Sequence, residues 1–234
     1  MNGTNINNVT HNDVEVRLLR TVDEITSALQ IQYHVFVKEL AELRTMTTRT
    51  DDDISTIQDS WDSISHYAGL FLKDKLVGAG RLIWKPGDLG FRVSSSICLS
   101  KFFADETSLC EVSALSVLPE FRHCGYAAAI HWYRLLLAKT LQASYMIAST
   151  SLDAAQFFQT MGFKVLEQAY KYKHYVEDKS IGSFLSLDLK DETSTTKYVN
   201  YVAARCGEGL SRKVMRCFKS DMEIGLDYLP ISGL

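Results

Sequence analysis

The sequence predicts an α/β (α+β) domain: a central sheet flanked by helices, with a helical C-terminal appendage. Three observations carry this expectation. Two β-prone runs, His66 to Leu72 and Leu76 to Trp84, are separated only by Lys73-Asp74-Lys75, which reads as an antiparallel hairpin. From Leu109 onward strand-like and helix-like segments alternate, as they do where helices cover a sheet. Beyond Lys190 a polar break, DETSTT, leads into a long helix-like run.

The elements follow in order. Val14 to Arg20 alternates apolar and polar residues, the mark of a half-buried strand. Thr21 and Glu24 form a capping box, and behind it Ile25, Leu29, Tyr33, Phe36, Leu40 and Leu43 recur at helical spacing. A polar, acidic stretch, TMTTRTDDDISTIQDSWDSIS, reads as a long connection of the lid or binding-loop kind. After the hairpin an irregular segment from Pro86 leads to a strand over Leu109–Val117, which Pro119 ends. The spacing then predicts a helix over 126–141, a strand over 145–149, a helix over 152–161, a turn at Gly162 and a strand over 163–166. A last strand, Phe184 to Leu189, closes the sheet. Domain organisation is thus a loose, Asn- and Thr-rich N-terminus over 1–13, a folded domain over 14–190 and a helical extension over 191–234.

Composition narrows the function. The 234 residues are 46% hydrophobic and include only 3 Pro, enough apolar side chains for one unstapled core. A net charge of −3 gives no basic field for nucleic acid, and no apolar run reaches the length of a membrane span. The N-terminus lacks the basic and apolar regions of a secretory signal. Five scattered cysteines, Cys98, Cys110, Cys124, Cys206 and Cys217, make neither a disulfide framework nor a metal-ligand pattern. The expectation is a reduced, cytoplasmic protein without a metal or a tightly bound cofactor, monomeric or homodimeric.

The chemistry concentrates in EVSALSVLPEFRHCGYAAAIHWYRLLL. Strand alternation puts Glu111, Ser113, Leu115 and Val117 on one side. A carboxylate in an apolar strand is unfavourable unless it is paired or used, and both readings stay open for Glu111. Ser113 could orient an acceptor or simply be a small residue. At the loop-to-helix junction, Gly125 tolerates positive φ and small Ala127 admits a close ligand. The first helical amides there make an anion site suited to a diphosphate, although an ordinary turn would look the same.

VLPEFRHCGYA resembles motif A of the GNAT acyltransferase superfamily, Val-x-Pro-x-x-Arg/Gln-x-x-Gly-x-Gly/Ala. DAAQFFQTMGF is similar to that superfamily's Ala-x-x-Phe-Tyr-x-x-x-Gly-Phe segment, and the resemblance, over roughly residues 14–190, implies a mixed, mostly antiparallel central sheet. It implies that amides of Arg122, His123, Cys124, Gly125, Tyr126 and Ala127 hold a coenzyme A diphosphate. It also implies that Leu115, Ser116 and Val117 pair with the pantetheine arm. A Tyr that reprotonates the leaving thiolate in many GNAT enzymes is Phe158 here, which cannot donate a proton. Tyr133, Tyr145 and Ser151 are the alternatives.

The N-terminal half resembles a narrower branch, the autoinducer synthases and N-acyl amino acid synthases. LQIQYHVFVKEL, then Asp59, Asp62 and His66, then Arg81 in VGAGRLI and Glu111 carry the likeness. The Arg usual before Tyr-x-Val-Phe in lactone makers is Gln32, which favours simple N-acylation. Arg81 then either binds an acceptor carboxylate or pairs with a loop aspartate. His66 reads as a structural histidine, and Tyr33 and Phe36 as core residues that can also line an acyl pocket.

The resemblance implies an N-acyltransferase. It would move an acyl group, long-chain fatty acyl in the first reading, from coenzyme A or acyl carrier protein to a small amino-acid-like amine. Glu111 would be the base and strand amides the oxyanion donors, with no covalent enzyme intermediate. The alternatives are an acetyl-coenzyme A-dependent N-acetyltransferase of a small amine or protein, and a non-catalytic acyl-coenzyme A sensor.

Overall fold

A computed structural model describes residues 13–39, 47–51, 54–171 and 181–226. Seven strands form one sheet in the order β1-β4-β5-β6-β7-β9-β8, built from β1 (Val14–Leu18), β4 (Ser65–Leu72), β5 (Lys75–Trp84), β6 (Leu109–Val117), β7 (Tyr145–Ser151), β8 (Lys164–Lys171) and β9 (Ile181–Asp188). Every pairing is antiparallel except β6 with β7. The mixed, mostly antiparallel sheet flanked by helices is therefore the architecture the sequence predicts. The last strand differs in place: β9 inserts between β7 and β8, leaving β8 on the edge.

Helix α1 (Val22–Gln32) starts at the capping box, with Thr21 Oγ1 accepting from Glu24 N and Glu24 Oε2 accepting from Thr21 N. The chain does not continue as an α-helix through Phe36; it widens into π-type turns over Tyr33–Glu39. Leu40 and Leu43 of the expected stripe lie outside the described residues, as do residues 1–12. Part of the expected long connection is instead a two-stranded ribbon, β2 (Thr47–Asp51) with β3 (Ile54–Gln58). Its Thr and Ile residues are β-branched and favour strand. A single turn over Asp62–Ile64 then leads into β4.

Helices α2 (Tyr126–Thr140), α3 (Leu152–Thr160) and α4 (Glu192–Ile224) share the core on one face of the sheet, where Cys110, Val112, Ile130, Tyr133, Tyr198 and Val214 are buried together. The other face carries α1, packed over Tyr67 and Ala79, and the segment after Pro86, whose short 3-10 turns bury Phe91, Val93, Ile97 and Phe103 against Ile83 and Leu109.

The C-terminal run is helical, as expected, but bent. Gly207 sits at φ 66° and ψ 168° inside α4, so the chain turns a corner there. Before the corner α4 reaches the start of α2; after it, Asp221 is buried and clips three elements together. Its Oδ2 accepts from Leu18 N at 3.0 Å and from Tyr133 Oη at 2.5 Å, and its Oδ1 from Arg20 Nη2 at 3.1 Å.

Gly125, at φ 80°, is where α4 meets the loop before α2: a Cβ added there would lie 2.4 Å from the Arg205 carbonyl oxygen. Gly125→Ala is therefore expected to cost more than the ~1–2 kcal/mol of a left-handed backbone alone. Thermal unfolding should show a Tm lowered by at least about 2–4 °C.

Candidate functional site

The site is built around β6. Strands β6 and β7 pair only over Leu109–Glu111 with Tyr145–Ile147, and beyond those residues they part. On its other side β6 carries a bulge. Arg81 pairs with Ser113 and Ala79 with Ser116, so Ala114 and Leu115 together oppose Gly80, and Ala114 takes φ 51°. The extra residue changes the alternation expected from the sequence. Glu111, Ser113 and Ser116 keep one face, whereas Val117 turns to the opposite one with Cys110 and Val112.

Past the bulge lies a cavity of about 250 Å³ at the loop before α2, lined by Val117, Arg122, His123, Gly125, Tyr126 and Ala127 among others. His123 and Gly125 both have positive φ, which turns the chain into the helix. The first amides of α2 have no carbonyl partner within the helix and carry the positive end of its dipole. Arg122 fixes the loop: its Nε donates to Val117 O at 3.0 Å, and its Nη atoms donate to both Glu39 oxygens at 2.5 and 2.8 Å. Cys124 is exposed. Sequence reasoning missed the rest of this wall, Phe157 of α3 and Tyr201 and Arg205 of α4.

Before the bulge lies a smaller cavity of about 60 Å³, with Gln32, Phe36, Asp59, Asp62, Arg81, Arg92, Ser113 and Ala114 in its wall. Its charges are nearly saturated by one another. Arg81, 2% exposed, donates to Asp59 Oδ1 and Oδ2 at 2.6 and 3.0 Å, to Asp62 Oδ1 at 2.5 Å and to Ser113 Oγ at 3.0 Å. Arg92 pairs with Asp59 at 3.0 Å, and Tyr67 Oη donates to Asp62 at 2.5 Å. Of the two readings of Arg81, pairing with the loop aspartates is the one present. Burial and the neighbouring Asp59 carboxylate raise the Asp62 carboxyl, while Arg81 and Arg92 more than offset burial at Asp59 and hold it down. Gln32 is 4% exposed, and its Nε2 has no hydrogen-bond partner among the described residues.

Glu111 stands just behind this wall, 1% exposed, with Oε2 accepting from Val93 N at 3.3 Å. Burial pushes its carboxyl up to about 6 against the opposing pull of Arg92. Phe36, Arg81 and Ser113 thus share the wall of one cavity. Tyr33, His66 and Phe158 are not in the wall of either cavity. Tyr33 lies under Lys38, and His66 is buried in β4, where burial lowers its imidazole to about 4. Phe158 packs against His131 and Phe163, at 5.7 and 5.1 Å between ring centroids. Leu115 packs against the core, and Ser116 is buried with no partner for its Oγ among the described residues. Among the alternatives to Phe158, the Tyr133 hydroxyl is bound to Asp221, Tyr145 lies at the paired end of β7, and Ser151 caps α3.

No family model matches the chain. The structures it resembles decide the fold. An N-acyl amino acid synthase from uncultured soil microbes, FeeM, superposes with a TM-score of 0.63 at 16% identity, over 80% of this chain and 98% of that one. The coenzyme A-dependent acyl-homoserine lactone synthases BjaI and MesI both superpose at 0.59, with 13% and 15% identity. BjaI covers 86% of this chain and 99% of its own, and MesI 80% and 95%. The fold is GNAT-like. In sequence, an uncharacterized N-acetyltransferase of Bacillus subtilis (strain 168), CgeE, is 26% identical over 80 residues, 33% of this chain. The chain thus spans only 31% of the length of that relative.

Removing the cation at the centre of this network leaves buried carboxylates without their partner. Arg81→Leu is expected to destabilise the fold by about 3–5 kcal/mol, read as a lower urea midpoint. Arg81→Leu combined with Asp62→Asn should recover part of that loss.

Proposed function

We propose that the protein is an N-acyltransferase that moves an acyl group from a coenzyme A or acyl-carrier thioester to the amine of a small amino-acid-like acceptor. The observation that carries this reading is that two cavities lie on either side of the β6 bulge, Val117 in the wall of one and Ser113 and Ala114 in that of the other. The parted strands support it as well. The open edge of β6 offers backbone groups to an extended chain with amides of its own, such as a pantetheine arm. The loop amides of residues 122–127 would take the diphosphate.

Transfer would be direct. The acceptor, as the neutral amine, attacks the thioester carbon through its nitrogen; the C–N bond forms, the nitrogen gives one proton to Glu111, and the C–S bond breaks with the electron pair leaving on sulfur. A thiol pKa of roughly 8.5 makes that thiolate a tolerable leaving group, so Phe158 is no obstacle. Glu111 is the base in this reading. It sits behind the wall rather than in it, so its proton would come through a water or a small shift of Arg92. The Gln32 amide, buried and unpartnered, suits an acceptor oxygen, because both cavity arginines are already held by aspartates.

Long-chain transfer is the first reading, and the likeness to FeeM, an N-acyl amino acid synthase, supports an amino-acid-like acceptor. Acetyl transfer is the second reading and rests on volume, since about 60 Å³ beside the bulge holds few heavy atoms. Expression in a bacterial host and mass spectrometry of the organic extract separates them, with Glu111→Gln as control. N-fatty-acyl products absent from the mutant establish the first; N-acetyl products establish the second. An extract identical to the mutant's, with acyl-coenzyme A bound but intact, points to a sensor.

A base near 6 acts only when deprotonated, so kcat/KM should rise with pH through about 6. Glu111→Gln should abolish that acidic limb and lose roughly 10²–10⁴-fold in rate.

A further inference from the structure

The face of β6 opposite Glu111 holds a buried cation with no carboxylate. Arg134 of α2 is 1% exposed, and among the described residues it forms no ion pair. Its Nη1 donates to two carbonyl oxygens, Arg81 O and Ser113 O, both at 3.1 Å. These belong to the last paired residues before the bulge, one on each strand. Its Nη2 donates to His131 Nδ1 at 2.8 Å, and its Nε has no partner among the described residues. His131 is fully buried, and burial with the adjacent guanidinium drives its imidazole well down, so the ring accepts from Arg134 while staying neutral.

The sequence makes room for this group. Gly80 opposes the bulge, and a Cβ there would lie 3.1 Å from both Cζ and Nη1 of Arg134. The helix side is braced from α4: Tyr198 Oη donates to His131 O at 3.0 Å. An uncompensated charge buried this deeply is unfavourable in the resting protein. Two carbonyls could be tied by a neutral amide, so hydrogen bonding alone does not account for a full positive charge.

We propose that Arg134 is a positioning residue for acyl transfer, a cation set behind the β6 bulge that holds Ala114 and Leu115 in place and adds its field where negative charge develops on the thioester oxygen. Ala114 and Leu115 are the residues the bulge releases from pairing with β5. In this role their amides would face the thioester carbonyl between the two cavities. Pinning Ser113 O from behind fixes the peptide unit that carries the Ala114 amide, which points opposite to that carbonyl. In the tetrahedral intermediate the thioester oxygen becomes an anion, and the buried charge then gains the partner it lacks at rest. The role rests on the acyl-transfer reading above.

The test uses the full chain, with acetyl- and octanoyl-coenzyme A as donors and the acceptor identified in the extract, and reads kcat, KM for the donor, coenzyme A affinity and Tm. Arg134→Met is expected to lower kcat by roughly 100-fold, the scale of one lost oxyanion donor. Donor KM and coenzyme A affinity should stay within about threefold, because the diphosphate loop is separate. Arg134→Lys should recover part of kcat by restoring charge. Gly80→Ala, which crowds the guanidinium without removing it, should reproduce the kcat loss, and these two variants carry the test if Arg134→Met does not fold. Wild-type kcat in Arg134→Met or Gly80→Ala, a lysine no better than methionine, or a kcat loss matched by lost coenzyme A affinity would overturn the role alone. A wild type that neither binds nor cleaves either thioester would overturn the acyl-transfer reading, and the role with it.

Discussion

Strands β6 and β7 run parallel for three residue pairs and then separate, and the site follows from that separation. A strand in mid-sheet normally has both edges satisfied. Here residues 112–117 of β6 keep β5 on one side and face a cleft on the other. The fold tolerates the open edge because β7 is held elsewhere, paired through its whole length with β9. Insertion of β9 beside β7, rather than at the sheet's edge, is thus what allows β7 to leave β6 without becoming an edge strand itself.

The bulge gives β6 two electrostatic sides. On the α1 side lie Glu111 and the Asp59–Arg81–Asp62–Arg92 network; on the α2 side lie Arg134 and His131. The two sides meet at one residue of β5, since Arg134 binds the carbonyl of Arg81, whose side chain anchors the network. A network of this kind adds little net stability against an apolar replacement of the same shape, yet it fixes one arrangement of its members. That trade suits a small cavity whose wall must not rearrange. Among the described residues it leaves Gln32 Nε2 unpartnered, a neutral donor in the cavity wall.

The regular sheet was legible because its strands alternate or run apolar between clear turns; β6 was placed at its observed ends, and α2 within one residue. The loop before α2 stood out for another reason, a Pro, an Arg and a Gly at fixed spacing. What escaped was set by tertiary contact. The β2–β3 ribbon lies in a polar stretch whose charges hide its β-branched residues. The bulge leaves no mark in LCEVSALSV, so strict alternation misassigned the face of Val117. Arg92 sits in a segment of short turns without periodicity. For α3, two adjacent phenylalanines defeat helical phasing: Phe157 faces the cavity and Phe158 the core.

The C-terminal helix shows how little of the site is local. It reads as an extension in sequence, yet its Tyr198, Val202, Leu210 and Val214 are fully buried in the core shared with α2. Its corner at Gly207 follows directly on Arg205 and Cys206, which close over Gly125, with Cys206 Sγ donating to Gly125 O at 3.7 Å. A side chain at 125 would force that corner outward, so the glycine serves helix packing as much as the turn. The same absence of a Cβ that lets a loop take positive φ here also lets a distant helix come close enough to place Tyr201 and Arg205 in the cavity wall. One residue therefore ties the geometry of the loop before α2 to the seating of α4, and α4 in turn braces His131 through Tyr198.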